Sequence, residues 1–454
     1  SSPALPTAVE RYGLTAREVD VLRGIVDYMT DREIAERLFI SPRTVGWHVT
    51  GILNKFGVDS RRRAAMKALE EELRRDRQKT LFLNMDNDAH RPHFSSQDAL
   101  LQKIRLELGS DGGYVFIDEI QRREDAGLFL KGLYDRGLPY KFIVSGSGSL
   151  ELKEHIHESL AGRKRLFELS PIAFDEFVHF RTGYRYAGKL SEFCRTETEY
   201  ALRLLREYVT YGGYPAVVLE ETLKEKYAAI DELFRSYIEK DIRFLLNVSH
   251  ADAYGMLIKL LARRVGGIVN MAELAAMIGV SQPTLKQYLW YGEKTFILRR
   301  ITPWHTNASK EIVKAPVMYF YDTGLCNYAA GRFNEPLELM DAGLVFQNMV
   351  SAILTERTRM SPAQLHFWRT KDKAEVDFVI NAGTAPVPLE VKATAFARPN
   401  VERSLRSFIE KYSPEQAFVV NLSLQETIRV GTTDVQFIPW WRLYEIDFIL
   451  PLSG

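Results

Sequence analysis

Tyr114-Val115-Phe116-Ile117-Asp118-Glu119-Ile120-Gln121 decides how this chain reads. An unbroken apolar run that ends on two carboxylates suits a strand buried on both faces, and so a parallel sheet covered by helices. Two more runs have the same character, Thr80-Leu-Phe-Leu-Asn-Met-Asp86 and Tyr140-Lys-Phe-Ile-Val-Ser-Gly-Ser147. Helical patterning separates the three, which predicts an α/β fold. Asp118-Glu119 then falls at the carboxyl edge of the sheet, where such folds present their ligands. There Asp118 would hold Mg²⁺ and Glu119 would polarise an attacking water. A solvated acidic strand end has the same pattern.

Composition sets the frame around that core. The 454 residues suggest three or four domains, and 46% hydrophobic with 26% charged residues is ordinary for a globular protein. The net charge is only +1, so any nucleic-acid surface must be local. Cys194 and Cys326 lack metal-ligand spacing and read as free thiols. No apolar stretch reaches the roughly 18–20 residues of a membrane span, and the opening Ser-Ser-Pro-Ala-Leu-Pro is no signal peptide. A cytoplasmic protein with no membrane partner is expected.

Upstream of the sheet, residues 14–68 are patterned as helices. Thr15 and Glu18 form a capping-box signature, and 31–38 is a short amphipathic helix. Ser41 caps the next helix with Pro42 in its first turn, and Val45, Val49, Ile52 and Phe56 give that helix its buried stripe. Two helices joined by a tight turn can present the second to the major groove. A bundle used only for dimerisation or docking would look the same. Leu14-Thr15-x-Arg17-Glu18, Glu33-Ile34-Ala35, Ser41-Pro42-x-Thr44-Val45, His48 and Ile52-Leu53-x-Lys55-Phe56 resemble the LuxR-type DNA-binding domain. The resemblance implies that Arg43, Thr44, Trp47, His48 and Lys55 face double-stranded DNA, with Arg61, Arg62 and Arg63 near phosphates. Gly46 departs from the family, which usually carries a long polar side chain there; it weakens the helix by about 1 kcal/mol relative to Ala.

A second resemblance covers about Leu81 to Trp441. Val115–Gln121, Ile143-Val-Ser-Gly-Ser147, Glu158-Ser-Leu-Ala-Gly-Arg163, Phe167-Glu-Leu-Ser-Pro171, Tyr211-Gly-Gly-Tyr-Pro215 and Asp322-Thr-Gly-Leu325 are similar to archaeal and bacterial AAA-superfamily ATPases that carry a C-terminal domain of uncertain function. The resemblance implies ATP as ligand, Asp118 and Glu119 as the acidic pair, Ser145 or Ser147 as γ-phosphate sensor, and Arg163 as the basic residue touching phosphate. Yet the chain contains no G-x-x-x-x-G-K-[ST]. Without it there is no backbone nest or lysine for phosphate, and the strand that carries the loop is missing from the sheet. Ser110-Asp-Gly-Gly113 precedes a strand and Lys79-Thr80 lacks the glycines, so neither substitutes. A fusion that discarded catalysis, a partner that supplies the loop in trans, and an artificial join all remain open.

Further on, 197–246 reads as amphipathic helices interrupted at Gly212-Gly213 and Pro215. Ala275, Ser281 and Thr284 then repeat the spacing of Ala35, Ser41 and Thr44. A strand at Phe296–Arg300 follows, as a winged helix requires, with Lys286, Arg299, Arg300 and Lys310 as possible DNA contacts. Near the C-terminus, alternation puts Glu375 and Asp377 on one face of a strand, and Glu390 and Lys392 on one face of the next. The spacing Asp377…Glu390-x-Lys392 resembles restriction-endonuclease-like nucleases, in which such a cluster binds Mg²⁺ and orients a water. Gln347 stands where relatives usually place a glutamate. A residual ion-pair scaffold, or a nucleic-acid grip that does not cut, fits the same residues.

The expected architecture is α/β and multi-domain. It comprises a helix-turn-helix bundle (1–75), an incomplete AAA-type parallel sheet (76–185), a helical lid (186–260), a winged helix (261–335) and a restriction-endonuclease-like α/β domain (336–454). The expected function is a DNA-binding regulator or defence-type protein on an AAA body with impaired hydrolysis, with a second copy of the chain, as a homo-oligomer, among its candidate partners. The alternatives are a Mg²⁺-dependent nuclease with Asp377 and Glu390 as metal ligands, and an active ATPase completed in trans.

Overall fold

The computed structural model describes residues 66, 69–70, 73–146, 170–236, 251–305, 315–334, 336–338, 342–359, 361–370, 372–382 and 386–446. The helix-turn-helix residues Arg43, Thr44, Trp47, His48, Lys55, Arg61 and Arg62, and also Ser147, Arg163 and Lys310, lie outside the described residues. The fold is α/β and divides into two compact units, 1–170 with 175–188, and 171–174 with 189–454.

In the first unit, β1 (Thr80–Asn84), β2 (Gly113–Asp118) and β3 (Tyr140–Val144) form a parallel sheet in that order. Between them run α1 (Gln97–Leu108) and α2 (Ala126–Tyr134). The Ser96 hydroxyl caps α1 by accepting the Ala99 N–H, the usual start for a helix entered from a loop. Leu100, Leu101, Ile104 and Leu108 of α1 and Phe129, Leu130 and Leu133 of α2 pack on Leu81, Leu83, Val115 and Ile117. The sheet's apolar runs are therefore driven together by burial from a shared helical layer. Gly112 opens β2 because its φ is +107° and a Cβ would sit 2.6 Å from the Pro139 carbonyl oxygen. All three strands point their carboxyl ends the same way, which sets Asn84 beside Asp118 and leads Val144 into Ser145.

Helix α3 (Phe174–Arg181) follows, and in the second unit come α4 (Leu190–Thr196), α5 (Thr198–Tyr211), α6 (Pro215–Leu219) and α7 (Leu223–Arg235). Pro215 occupies the first turn of α6, where its missing N–H is harmless. A capping box of Thr222 and Glu225 fixes the start of α7. Next come α8 (Ala251–Arg263), α9 (Met271–Ile278), capped by Asn270, and α10 (Gln282–Lys294), capped by Ser281. The chain then enters β4 (Leu298–Pro303) and β5 (Val317–Phe320), an antiparallel pair, and Ile268 bridges to Val317. Helix α11 (Thr323–Ala330) and α12 (Gly343–Thr358) lead to β6 (Gln364–Arg369), β7 (Glu375–Asn381) and β8 (Val387–Val391). After α13 (Arg403–Tyr412) come β9 (Gln416–Asn421), β10 (Glu426–Val430) and β11 (Thr433–Pro439).

The eight strands order as β10-β11-β9-β8-β7-β6-β4-β5. Strands β6, β7 and β8 form an antiparallel meander, whereas β4 joins β6, and β9 joins β8 and β11, in parallel. The amphipathic α13 buries Leu405, Phe408 and Ile409 against Trp368, Val376, Val379 and Val419. Among the described residues no helix is long and apolar enough to cross a membrane.

Candidate functional site

The end of β2 carries the first cluster. Asp118 is fully buried and Glu119 nearly so. The Ser145 hydroxyl donates to Asp118 Oδ1, and the Ser145 N–H donates to the Ile117 carbonyl at 2.9 Å. The Ile120 N–H returns to the Ser145 carbonyl at 3.2 Å, and the Met85 N–H to the Asp118 carbonyl at 3.0 Å. Three strand ends are thus tied around one carboxylate. Glu119 is left-handed at φ 58° and ψ 38°. A non-glycine residue held there costs about 1–2 kcal/mol, and such strain persists where surrounding structure over-determines it. Arg122 Nε meets Asp86 Oδ1 at 2.9 Å just beyond.

One carboxylate and one hydroxyl are too few to cage a divalent ion, and among the described residues no three His, Cys, Asp or Glu side chains converge as a metal would need. The pair suits an ion that arrives with its own phosphate oxygens, the usual habit of Mg²⁺. Lys79 is engaged with Asp111 at 3.4 Å.

The second cluster lies where β7, β8 and α12 meet. Gln347 Nε2 donates to Asp377 Oδ1 at 2.8 Å and the Val391 N–H donates to Oδ2 at 2.7 Å. Lys392 Nζ stands 3.1 Å from Glu390 Oε1 and 2.9 Å from Glu402 Oε2. Glu375 pairs with Arg369 at 3.1 Å instead. Burial pushes the Asp377 carboxyl well above its usual range, and the Glu390 charge adds to this. Burial raises Glu390 too, with the Lys392 ammonium opposing it. For Lys392 burial acts downward, but the two glutamates prevail and carry it up to about 12. Glu390 Oε2 is buried and accepts no hydrogen bond.

Both Asp377 oxygens are therefore taken by N–H donors and one Glu390 oxygen by an ammonium. Only Glu390 Oε2 is uncommitted. A divalent ion would fit here only if the Gln347 amide turned its carbonyl inward, so in this arrangement Lys392 supplies the counter-charge. Glu402 was invisible to spacing arguments because it lies at the start of α13, outside any strand.

On the helical part of this unit, Lys286 is exposed on α10. Arg299, which the sequence suggested as a DNA contact, turns inward instead. Its guanidinium lies 4.3 Å over the Tyr321 ring and donates to Ser351 Oγ at 3.3 Å. The strand alternation of β4 places it against α12, so a neighbouring arginine in sequence, Arg300, takes the exposed side.

The motifs Tyr211–Pro215 and Asp322–Leu325 meet each other and leave both clusters alone. Asp322 Oδ2 accepts the Gly213 N–H at 2.7 Å and Oδ1 accepts the Leu325 N–H at 2.8 Å, capping α11. They form a structural clamp.

Comparison with known proteins bears on all of this. Residues 13–68 match the luxR family of bacterial regulatory proteins, and 64–178 match an AAA domain. Residues 202–336 and 342–443 match two domains of unknown function (DUF8612 and DUF4143). The uncharacterized protein Rv2008c of Mycobacterium tuberculosis is 29% identical over 310 residues, 66% of this chain and 63% of the relative. The chain thus spans 63% of the length of that relative. The uncharacterized protein MJ1544 of Methanocaldococcus jannaschii is 25% identical over 370 residues, 75% of this chain and 76% of its own. The transcriptional regulatory protein LiaR of Bacillus subtilis is 41% identical over 66 residues, 14% of this chain and 31% of its own. No solved structure matches the chain. The chain therefore joins a LuxR-type helix-turn-helix domain to an AAA domain, and continues into two domains whose function is unknown.

Proposed function

We propose that this chain is a regulator that binds double-stranded DNA through residues 13–68, with its AAA body serving as a nucleotide-responsive scaffold whose hydrolysis is impaired. The LuxR-family match carries the reading. Arg43, Thr44, Trp47 and His48 are the base-facing candidates, and Lys55, Arg61 and Arg62 the flanking cations. Helix-turn-helix proteins read paired half-sites about one helical turn apart, so a homo-oligomer on DNA is part of the proposal. In the body, Asp118 and Ser145 would hold the Mg²⁺ of a bound ATP. The absence of any phosphate-loop sequence from the chain supports impaired turnover.

The order of the Ile268 bridge, α9, α10, β4 and β5 supports the winged-helix reading of 261–335, with exposed Lys286 on α10 as an additional DNA contact. With net charge +1, DNA affinity must come from local cations. About four phosphate contacts would give a slope of roughly −3.6 in log K against log salt. The test is fluorescence anisotropy on duplex DNA across salt concentrations, with Arg43→Ala, Lys55→Ala and Lys286→Ala. Affinity unchanged by Arg43→Ala and Lys55→Ala together would overturn the reading.

One observation favours a second reading, a Mg²⁺-dependent nuclease. Glu390 Oε2 is buried without a partner beside Asp377, a state that a cation would relieve. Asp377 and Glu390 would hold the ion, with Lys392 beside them as the charged neighbour of the scissile phosphate. Supercoiled plasmid incubated with Mg²⁺ decides it. Nicking that vanishes in Asp377→Ala supports the nuclease, and intact plasmid under conditions of DNA binding removes it.

A further inference from the structure

Outside both clusters, the second unit holds an open cavity of about 510 Å³ whose lining includes Arg203, Arg206, Tyr211, Leu223, Lys226 and Pro336. We propose that this cavity binds a mononucleotide, with its phosphate on Arg203 and Arg206.

The two arginines carry the argument. They lie three residues apart on α5, so they share a face. Arg206 Nε is buried and makes no hydrogen bond, and its Nη2 stands 3.8 Å from Glu338, beyond hydrogen-bond reach. Arg203 lies 4.7 Å over the Tyr200 ring. Among the described residues neither guanidinium has an acceptor. A buried guanidinium N–H without an acceptor is a costly state that an oxyanion relieves, and the planar fork of arginine matches phosphate oxygens in pairs. Lys226 adds a third cation. It is 5% exposed and held rigid by the carbonyls of Glu220 at 2.6 Å and Val217 at 3.2 Å. Glu207, 3.7 Å away, balances it.

The remaining lining selects the rest of the ligand. Tyr211, Leu223 and Pro336 give an apolar wall for a base. Tyr211 is braced by its hydroxyl on the Asn334 carbonyl at 2.7 Å and by Phe333, ring centroids 5.2 Å apart. Glu221 and Glu338 stand at the same cavity and can accept amino protons of a base. Three glutamates balance the three cations, so the site has no net attraction for a polyanion and suits one nucleotide held by local contacts rather than a DNA backbone. The volume is in the range of small-molecule sites.

Calorimetry on the full chain with AMP, GMP and inorganic phosphate tests this. Arg203→Gln and Arg206→Gln should each weaken binding about tenfold or more, because each removes a charged hydrogen bond. Asp118→Asn should leave it unchanged. Arg203 is exposed, so its variant keeps the fold even if Arg206→Gln does not. Wild-type affinity in Arg203→Gln overturns the proposal. So does the absence of binding at millimolar nucleotide, or loss of binding in Asp118→Asn alone, which would put the nucleotide in the AAA body.

Discussion

Replacing Asp322 by alanine probes a contact that joins two segments 109 residues apart. Two losses add. The Leu325 N–H at the start of α11 loses its cap, worth about 1 kcal/mol. The Gly213 N–H, buried beneath the carboxylate, is left without an acceptor, worth about 1–3 kcal/mol. The expected destabilisation is thus about 3 kcal/mol, a large share of a domain's roughly 5–15 kcal/mol. Trp290, Trp304, Trp368, Trp440 and Trp441 all lie in this unit, so urea unfolding read by tryptophan emission follows it. The midpoint should fall with the slope unchanged. The pH dependence sharpens the test. Burial raises the Asp322 pKa from 3.8 to about 6, against four backbone N–H donors that act downward. A folded pKa above the unfolded one means that the native state binds the proton more tightly. That stabilisation is full below about pH 4 and is lost as pH rises through 6. Asp322→Asn should abolish this slope. A loss under about 1 kcal/mol in Asp322→Ala, or a slope that survives in Asp322→Asn, would refute the reasoning.

Three further outcomes follow from the same packing. Gly213→Ala would place a Cβ 2.0 Å from the Ile172 carbonyl oxygen, so thermal unfolding of that variant should drop by more than the effect of an ordinary Gly→Ala exchange, roughly 2 kcal/mol or more. Lys392→Met leaves Glu390 and Glu402 facing each other without their shared cation, and should cost about 3 kcal/mol in denaturant; a neutral result would mean Glu390 simply takes up a proton. Burial raises the thiols of Cys194 and Cys326 to about 12, so a chromogenic disulfide at pH 8 should label neither in the native protein and both in denaturant, and rapid labelling of either would contradict their placement.

The local features of the fold were readable because periodicity and caps are local. The three parallel strands, the Gly212-Gly213 break and the Ser281 cap all fall where apolar runs, glycine and helix starts put them. What sequence could not give was long-range closure. Strand β4 leaves the helical segment and pairs with β6, joining two stretches that local patterning assigned to separate domains. Arg299 looked like a surface cation because it neighbours Arg300, and only the pairing with β5 shows which of the two faces α12. The clamp between Gly213 and Asp322 was visible as two motifs, and nothing in either motif names the other. In the carboxylate cluster, Asp377 and Glu390 were legible from alternation, whereas Glu402 reaches Lys392 across a loop.

The two acidic strand ends, similar in sequence, differ in what they leave available. Around Asp377 and Glu390 nearly every oxygen already has an N–H or ammonium donor, so the cluster is close to electrically closed and would have to be rearranged before it could take a cation. Around Asp118 the Ser145 hydroxyl donates to one carboxylate oxygen, and the neighbouring Glu119 is held in a left-handed conformation that costs about 1–2 kcal/mol. A nucleotide-bound cation placed at this ligand edge of the sheet would meet a buried carboxylate beside a strained residue. The ion pairs of Lys392 with Glu390 and Glu402 tie the end of β8 to the start of α13. The contrast between the clusters fits the proposed nucleotide response at the first unit's strand ends better than metal binding at Asp377 and Glu390, with DNA recognition resting on the LuxR-family segment.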